Sequence, residues 1–137
     1  MAIARWGTPN TESQIDSGVL NSLANGSTSA RMGYDNSTLR DLYARIVVEL
    51  GSLTPAAGGS ITLRVLNRRG SNDEDVTAGL DSYTMPLTTT TGAKRVIFPM
   101  VTLYPFVMGF VIQNNAGVAL AASGNGVFIQ GFDEEVS

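Results

Sequence analysis

Leu42-Tyr43-Ala44-Arg45-Ile46-Val47-Val48-Glu49-Leu50 is a run in which Leu42, Ala44, Ile46, Val48 and Leu50 alternate with Tyr43, Arg45, Val47 and Glu49. A period of two with one apolar side is the mark of a β-strand buried on one face. Gly51 to Gly59, which holds Pro55, Gly58 and Gly59, reads as a turn region. Ile61, Leu63 and Val65 then alternate with Thr62, Arg64 and Leu66 as a second strand. The spacing predicts a hairpin whose two apolar faces point the same way.

Toward the C-terminus the same pattern continues in shorter pieces. Tyr83, Met85 and Leu87 alternate weakly around Pro86, which predicts an edge strand or a strand end. Thr88 to Gly92 is a threonine-rich turn, and Val96, Phe98 and Met100 form the next alternating set. Pro99 within that set points to another edge or a bulge, since proline cannot donate to a ladder. Phe106 to Gln113 is the most apolar segment and is expected to be one strand buried on both faces. Asn114-Asn115-Ala116-Gly117 is a turn signal, Val118 to Ala122 a short run, and Val127-Phe128-Ile129 the last strand. About seven short strands with turn signals every ~8–12 residues predict an all-β chain, an antiparallel β-sandwich of jelly-roll or immunoglobulin-like type.

Residues 1–37 differ: polar and small residues, Pro9, and scattered apolar anchors at Ile3, Trp6, Ile15, Val19, Leu20 and Leu23. They are expected to be an N-terminal arm, with residues 38–137 as the sandwich. Val19, Leu20 and Leu23 fit one helical turn capped by Asp16 or Ser17 and stopped by Gly26, and an extended arm with one short turn fits as well. Trp6 is the sole tryptophan. A large aromatic on a terminal arm either docks on another subunit or covers the end of its own core.

Composition narrows the chemistry. The 137 residues suit one domain, with no cysteine and no histidine. Disulfides, thiolate metal sites, a cysteine nucleophile and the serine–histidine route are thereby excluded. Nine Lys+Arg against twelve Asp+Glu give a net charge of -3, which does not draw a chain onto nucleic acid or an anionic membrane. Only 15% of residues are charged, below the ~25% of an ordinary soluble domain. A surface so poor in charge and so rich in hydroxyl and amide groups suits either a small β domain or a protein packed against neighbours. No secretory h-region opens the chain and no run is long enough to span a bilayer as a helix, so the expectation is a soluble protein made in a cytoplasm. Asn25-Gly26-Ser27 and Asn36-Ser37-Thr38 then read as turns rather than glycosylation sites.

Several groupings bear on function. Asn72-Asp73-Glu74-Asp75, with Asp133-Glu134-Glu135, invites a calcium reading, but the alternate-ligand spacing with a distal Glu is missing, so solvated loop charge is expected. No residue pattern selects a carboxylate pair for glycoside hydrolysis, and no phosphate-cradling G-x-x-x-x-G-K-[ST] loop occurs. No cofactor and no metal are expected. Arg64 and Arg68 share a strand face and, with Arg69, suit carboxylate clamps on a partner, or a solvated face balanced by the acidic loop. Tyr43, Tyr83, Tyr104 and Phe128 make a candidate sugar-stacking platform, with core packing as the other reading.

Leu20-Asn21-Ser22-Leu23-Ala24-Asn25-Gly26, Asp35-Asn36-Ser37-Thr38, Glu49-Leu50-Gly51-Ser52-Leu53-Thr54-Pro55-Ala56-Ala57-Gly58 and Gln113 to Asn125 follow in that order. This order resembles that of small virion proteins of tailed bacteriophages, similar to head decoration (cement) proteins with a β-sandwich body, over about residues 19–135. The resemblance implies a non-enzymatic protein of the virion. It implies a homo-oligomer, most plausibly a trimer, that binds the major capsid protein and bridges shell subunits. A phage tail or fibre component and a carbohydrate-binding module are the other readings of such a sandwich. Ile3, Trp6, Arg64 and Arg68 are the expected subunit or capsid contacts.

Overall fold

The computed structural model describes residues 3–69, 72–73 and 81–136. Among the described residues eleven strands follow one another: β1 (Ala4–Trp6), β2 (Ser13–Gln14), β3 (Met32–Asp35), β4 (Tyr43–Leu53), β5 (Ser60–Arg69), β6 (Asn72–Asp73), β7 (Asp81–Pro86), β8 (Gly92–Thr102), β9 (Val107–Asn115), β10 (Gly126–Phe132) and β11 (Glu134–Val136). No helix occurs among the described residues, and every ladder is antiparallel. One sheet has the order β2-β10-β4-β8. The other has the order β3-β9-β5-β6, with β7 also paired to β5, and β1 and β11 form a separate ribbon. The chain is an all-β, two-layer antiparallel sandwich.

β4 and β5 do not form the expected hairpin. β4 pairs with β10 and β8, whereas β5 pairs with β9, β7 and β6 in the other layer. Their apolar faces do meet, because Ala44, Ile46, Val48 and Leu50 descend from one sheet and Ile61, Leu63 and Val65 rise from the other. Both sides of that contact are completely dry, and each large side chain so buried contributes about 1.5–3 kcal/mol. Leu42 lies before β4 and is exposed rather than inward.

β9 is buried on both faces from Met108 to Ile112, as the apolar run predicts, while Phe106 precedes the strand and is exposed. The inner face meets the core. On the outer face the Arg31 guanidinium donates to the Met108 carbonyl at 2.8 Å and to Asp73 at 2.8 Å. Arg31 lies so close over Gly109 that a Cβ there would meet its Nε at 2.5 Å.

Pro99 is both edge and bulge. β8 ends the sheet order, and its register against β4 shifts between Ala44↔Val101 and Ile46↔Phe98. Pro99 and Met100 of β8 thus stand opposite the single residue Arg45 of β4, and the extra residue reverses the alternation. Val101 turns inward in place of Met100, which points to solvent at 43% exposure.

Residues 1–37 carry edge strands of both layers: β2 pairs with β10, and β3 with β9. Between them residues 17–22 form turns without a helix, and Leu20 is buried. The turns are held by main-chain bonds to the 116–125 loop, Ser22 N–H to the Ala121 carbonyl at 3.0 Å and Leu120 N–H to the Leu23 carbonyl at 2.9 Å. The apolar run Val118 to Ala122 is therefore loop, with Leu120 alone fully inside.

Gly51, buried in β4, faces the same loop: a Cβ there would stand 2.2 Å from the Ser123 carbonyl oxygen and 2.9 Å from the Ala121 Cβ. Gly51→Ala is expected to lower stability by about 1–3 kcal/mol through this overpacking, seen as an earlier urea midpoint. An unchanged midpoint would mean that the loop moves aside freely.

Candidate functional site

The two outer faces of the sandwich differ in chemistry. On the five-stranded layer, hydroxyl and charged groups pair with one another across the strands. The Thr62 and Thr84 hydroxyls are 2.9 Å apart, and Arg64 donates to the Gln113 side chain at 3.0 Å. Arg68 reaches Asp73 at 3.5 Å, as an ion pair mostly withdrawn from solvent. Of the acidic run at 72–75, Asn72 and Asp73 form β6, and Asp73 is occupied by Arg31 and Arg68. Glu74 and Asp75 lie outside the described residues. Among the described residues no group of three or more His, Cys, Asp or Glu could hold a metal ion.

The outer face of the four-stranded layer is organised in cross-strand rows. Phe132, Tyr43 and Thr102 lie abreast, and Phe128, Val47 and Ile97 form a second apolar row. Between them Arg45 stands beside Gln130 and donates to its side-chain oxygen at 2.8 Å. Glu49 and Arg95 close the far end with a 2.7 Å ion pair.

Trp6 completes the near end. It comes from β1, and its ring meets Phe132 edge-on at a centroid distance of 5.6 Å and Tyr43 at 6.2 Å. Tyr43 and Phe132 stand 5.7 Å apart. Edge contacts of this kind stabilise by about 0.5–1.5 kcal/mol beyond the area they bury, yet Trp6 remains 59% exposed. Trp6 therefore packs on the outside of its own sandwich and still offers most of its surface. An open groove of about 500 Å³ runs from it, lined by Pro9, Arg45, Pro99, Met100, Gln130 and Phe132 among others.

The four contacts expected from sequence fall in two places. Ile3 is exposed just before β1, and Trp6 lies on the four-stranded face. Arg64 and Arg68 do share a face, but it is the opposite one, and there Gln113 and Asp73 engage them. The four-ring platform does not assemble. Tyr43 and Phe128 lie two rows apart on the four-stranded face, Tyr83 accepts the Thr102 N–H at 3.1 Å, and the Tyr104 hydroxyl donates to Asp81. Phe132 joins Trp6 and Tyr43 instead, and Met100 lines the groove with Trp6. Phe132 continues the period-two series Phe128, Gln130, Phe132, which is legible in the chain. Met100 turns outward only because of the bulge.

No protein-family model matches the chain, and no curated protein matches it either. Among solved structures, the chain is similar to an arabinose-bound GH51 α-L-arabinofuranosidase, with 15% identity and a TM-score of 0.34. The match covers 96% of this chain and 23% of that one, so the chain spans under a quarter of the enzyme's length. So loose a superposition carries no argument about activity.

Proposed function

We propose that this chain is a non-enzymatic structural protein that binds other protein subunits through the four-stranded face, and that it decorates the head of a tailed bacteriophage. One observation carries the adhesive part: Trp6, Phe132, Met100 and Arg45 line one open groove, with Tyr43 packed beside it against the Trp6 and Phe132 rings. Aromatics, methionine and arginine are the residue types enriched where proteins bind one another. The phage assignment rests on the order of turn and strand motifs. It draws support from the strand order. With β1, β11 and the short β6 set aside, the remaining strands run first–eighth–third–sixth in one sheet and second–seventh–fourth–fifth in the other, an order that suits a jelly-roll.

In this reading the protein acts as a homo-oligomer, a trimer, in the virion. It binds the major capsid protein only in the assembled shell and so stabilises that state by mass action. Many symmetric copies make modest contacts collectively tight. Purified protein is expected to co-sediment with expanded phage heads and to raise their melting temperature. The double variant Trp6→Ala with Met100→Ala is expected to lose about tenfold or more in affinity, as truncated interface anchors do, while still unfolding cooperatively, its urea midpoint lowered only by the lost ring contacts of Trp6. Full affinity in that variant would remove the groove from the interface. A lone monomer without affinity for any head would end the phage reading. Affinity for a glycan array, lost with Trp6, would replace it by a sugar-binding module.

A further inference from the structure

The outer face of the four-stranded layer holds two hollows, and Arg45 stands between them. Arg45 lines one end of the groove that Trp6, Met100 and Phe132 also line. It lines a second hollow of about 330 Å³ as well, whose apolar side is Val47, Ile97 and Phe128. Ile97 is 39% exposed there, although no sequence pattern marks it as a contact.

The order along the sheet follows from β4. Tyr43, Arg45 and Val47 project outward from alternate positions, so their rows are about 6.8 Å apart, twice the rise of a strand. Neighbouring strands widen each row: Phe132 lies beside Tyr43, Gln130 beside Arg45, and Phe128 and Ile97 beside Val47. The rows therefore read apolar, cationic, apolar. An extended polypeptide presents residues i, i+2 and i+4 on one side at the same spacing.

The middle row sets the charge of the partner. The Arg45 side chain is 47% exposed and donates to the Gln130 side-chain oxygen at 2.8 Å, while the Glu12 carboxylate stands 3.4 Å away. That is longer than the ~2.7–2.9 Å of a firm charged hydrogen bond. Glu12 belongs to the connection between β1 and β2, so the chain's own carboxylate fills this place only loosely. In the next row Glu49 and Arg95 satisfy each other at 2.7 Å and leave no such opening. We propose that this face takes an extended segment of a partner polypeptide: a carboxylate of the segment displaces Glu12 from Arg45, and apolar side chains two residues before and two after it enter the hollows. The inference rests on the adhesive reading of the four-stranded face and is independent of the phage assignment.

Trp6, the sole tryptophan, reports the first hollow. Two blocked pentapeptides are titrated into the full chain, each with leucine at both ends and threonine at the second and fourth positions. One carries aspartate at its centre and the other lysine. The aspartate peptide is expected to shift Trp6 emission to shorter wavelength and to bind about three- to tenfold more tightly than the lysine peptide, the effect of one exposed charge pair made or opposed. Added salt should narrow that gap. Arg45→Glu should reverse the order, and Glu12→Gln, which frees Arg45, should tighten the aspartate peptide. Ile97→Ser, in the hollow that does not hold the reporter, should weaken it. Cooperative urea unfolding confirms the fold of each variant. Equal affinity for the two peptides, or an order that Arg45→Glu leaves unchanged, would overturn the inference. If neither peptide binds while the protein still co-sediments with heads, the extended segment fails and the adhesive face stands. If heads are not bound either, both fall.

Discussion

Phe110→Ala is expected to lower the free energy of unfolding by about 3–5 kcal/mol, the range for a large aromatic deleted from a rigid core. Phe110 is fully buried at the middle of β9, paired with Met32 of β3 on one side and Val65 of β5 on the other. Its ring lies 6.4 Å from that of Tyr34. Three neighbouring strands of one layer and the side chains of the facing layer meet there, so the void cannot close by moving one loop. A domain of this size is stabilised by only about 5–15 kcal/mol in all. The variant should therefore melt at a far lower urea concentration with an unchanged slope. A loss under about 1 kcal/mol would contradict the two-layer packing.

The second large effect is polar. Asn114 is completely buried, and its side-chain amide donates to the carbonyls of Leu23 at 3.0 Å and Val118 at 2.9 Å. Its side-chain oxygen accepts the Ala116 N–H at 2.9 Å. One residue thus ties the N-terminal turns to the loop after β9. Asn114→Ala leaves the Val118 carbonyl and the Ala116 N–H without the partner described, and a buried polar group left so costs about 1–3 kcal/mol. We expect a loss of at least about 2 kcal/mol in denaturant titrations, together with faster hydrogen exchange at the Leu120 amide, which shares the Leu23 carbonyl with Asn114. A near-neutral result would mean that water replaces the amide, and the loop would then be far looser than its bonds imply.

Much of the layer structure is legible in the chain itself. Alternation identified β4, β5 and β9 because each has a face, or two, that must leave water. Partner choice was not legible. Period two says which side of a strand is buried, and both members of a facing pair of sheets satisfy it as well as a hairpin does. Strands of two or three residues, such as β2 and β6, are too short to show a period at all. At the candidate site, Trp6 and Tyr43 stood out as aromatics, whereas Met100 needed the register shift at Pro99 to reach the surface. Arg64 and Arg68 were correctly placed on one face, but nothing local tells which outer surface of a sandwich a strand presents. The Glu12–Arg45 contact joins positions far apart in the chain, and neither carries a signal of the other.

The strand order has a consequence for synthesis. Of the steps from β2 to β10, only β5 to β7 (through β6) and the two-residue partner β6 stay within a layer; the others pass across the core. β4 waits for β8 and β10, and β3 waits for β9. A chain emerging from the ribosome has almost no local ladder to close, and its apolar faces stay wet until residues near 130 are out. Topologies of this kind fold slowly, because loop closure precedes its reward. Truncation within β10 should leave an aggregating polypeptide rather than a smaller folded one.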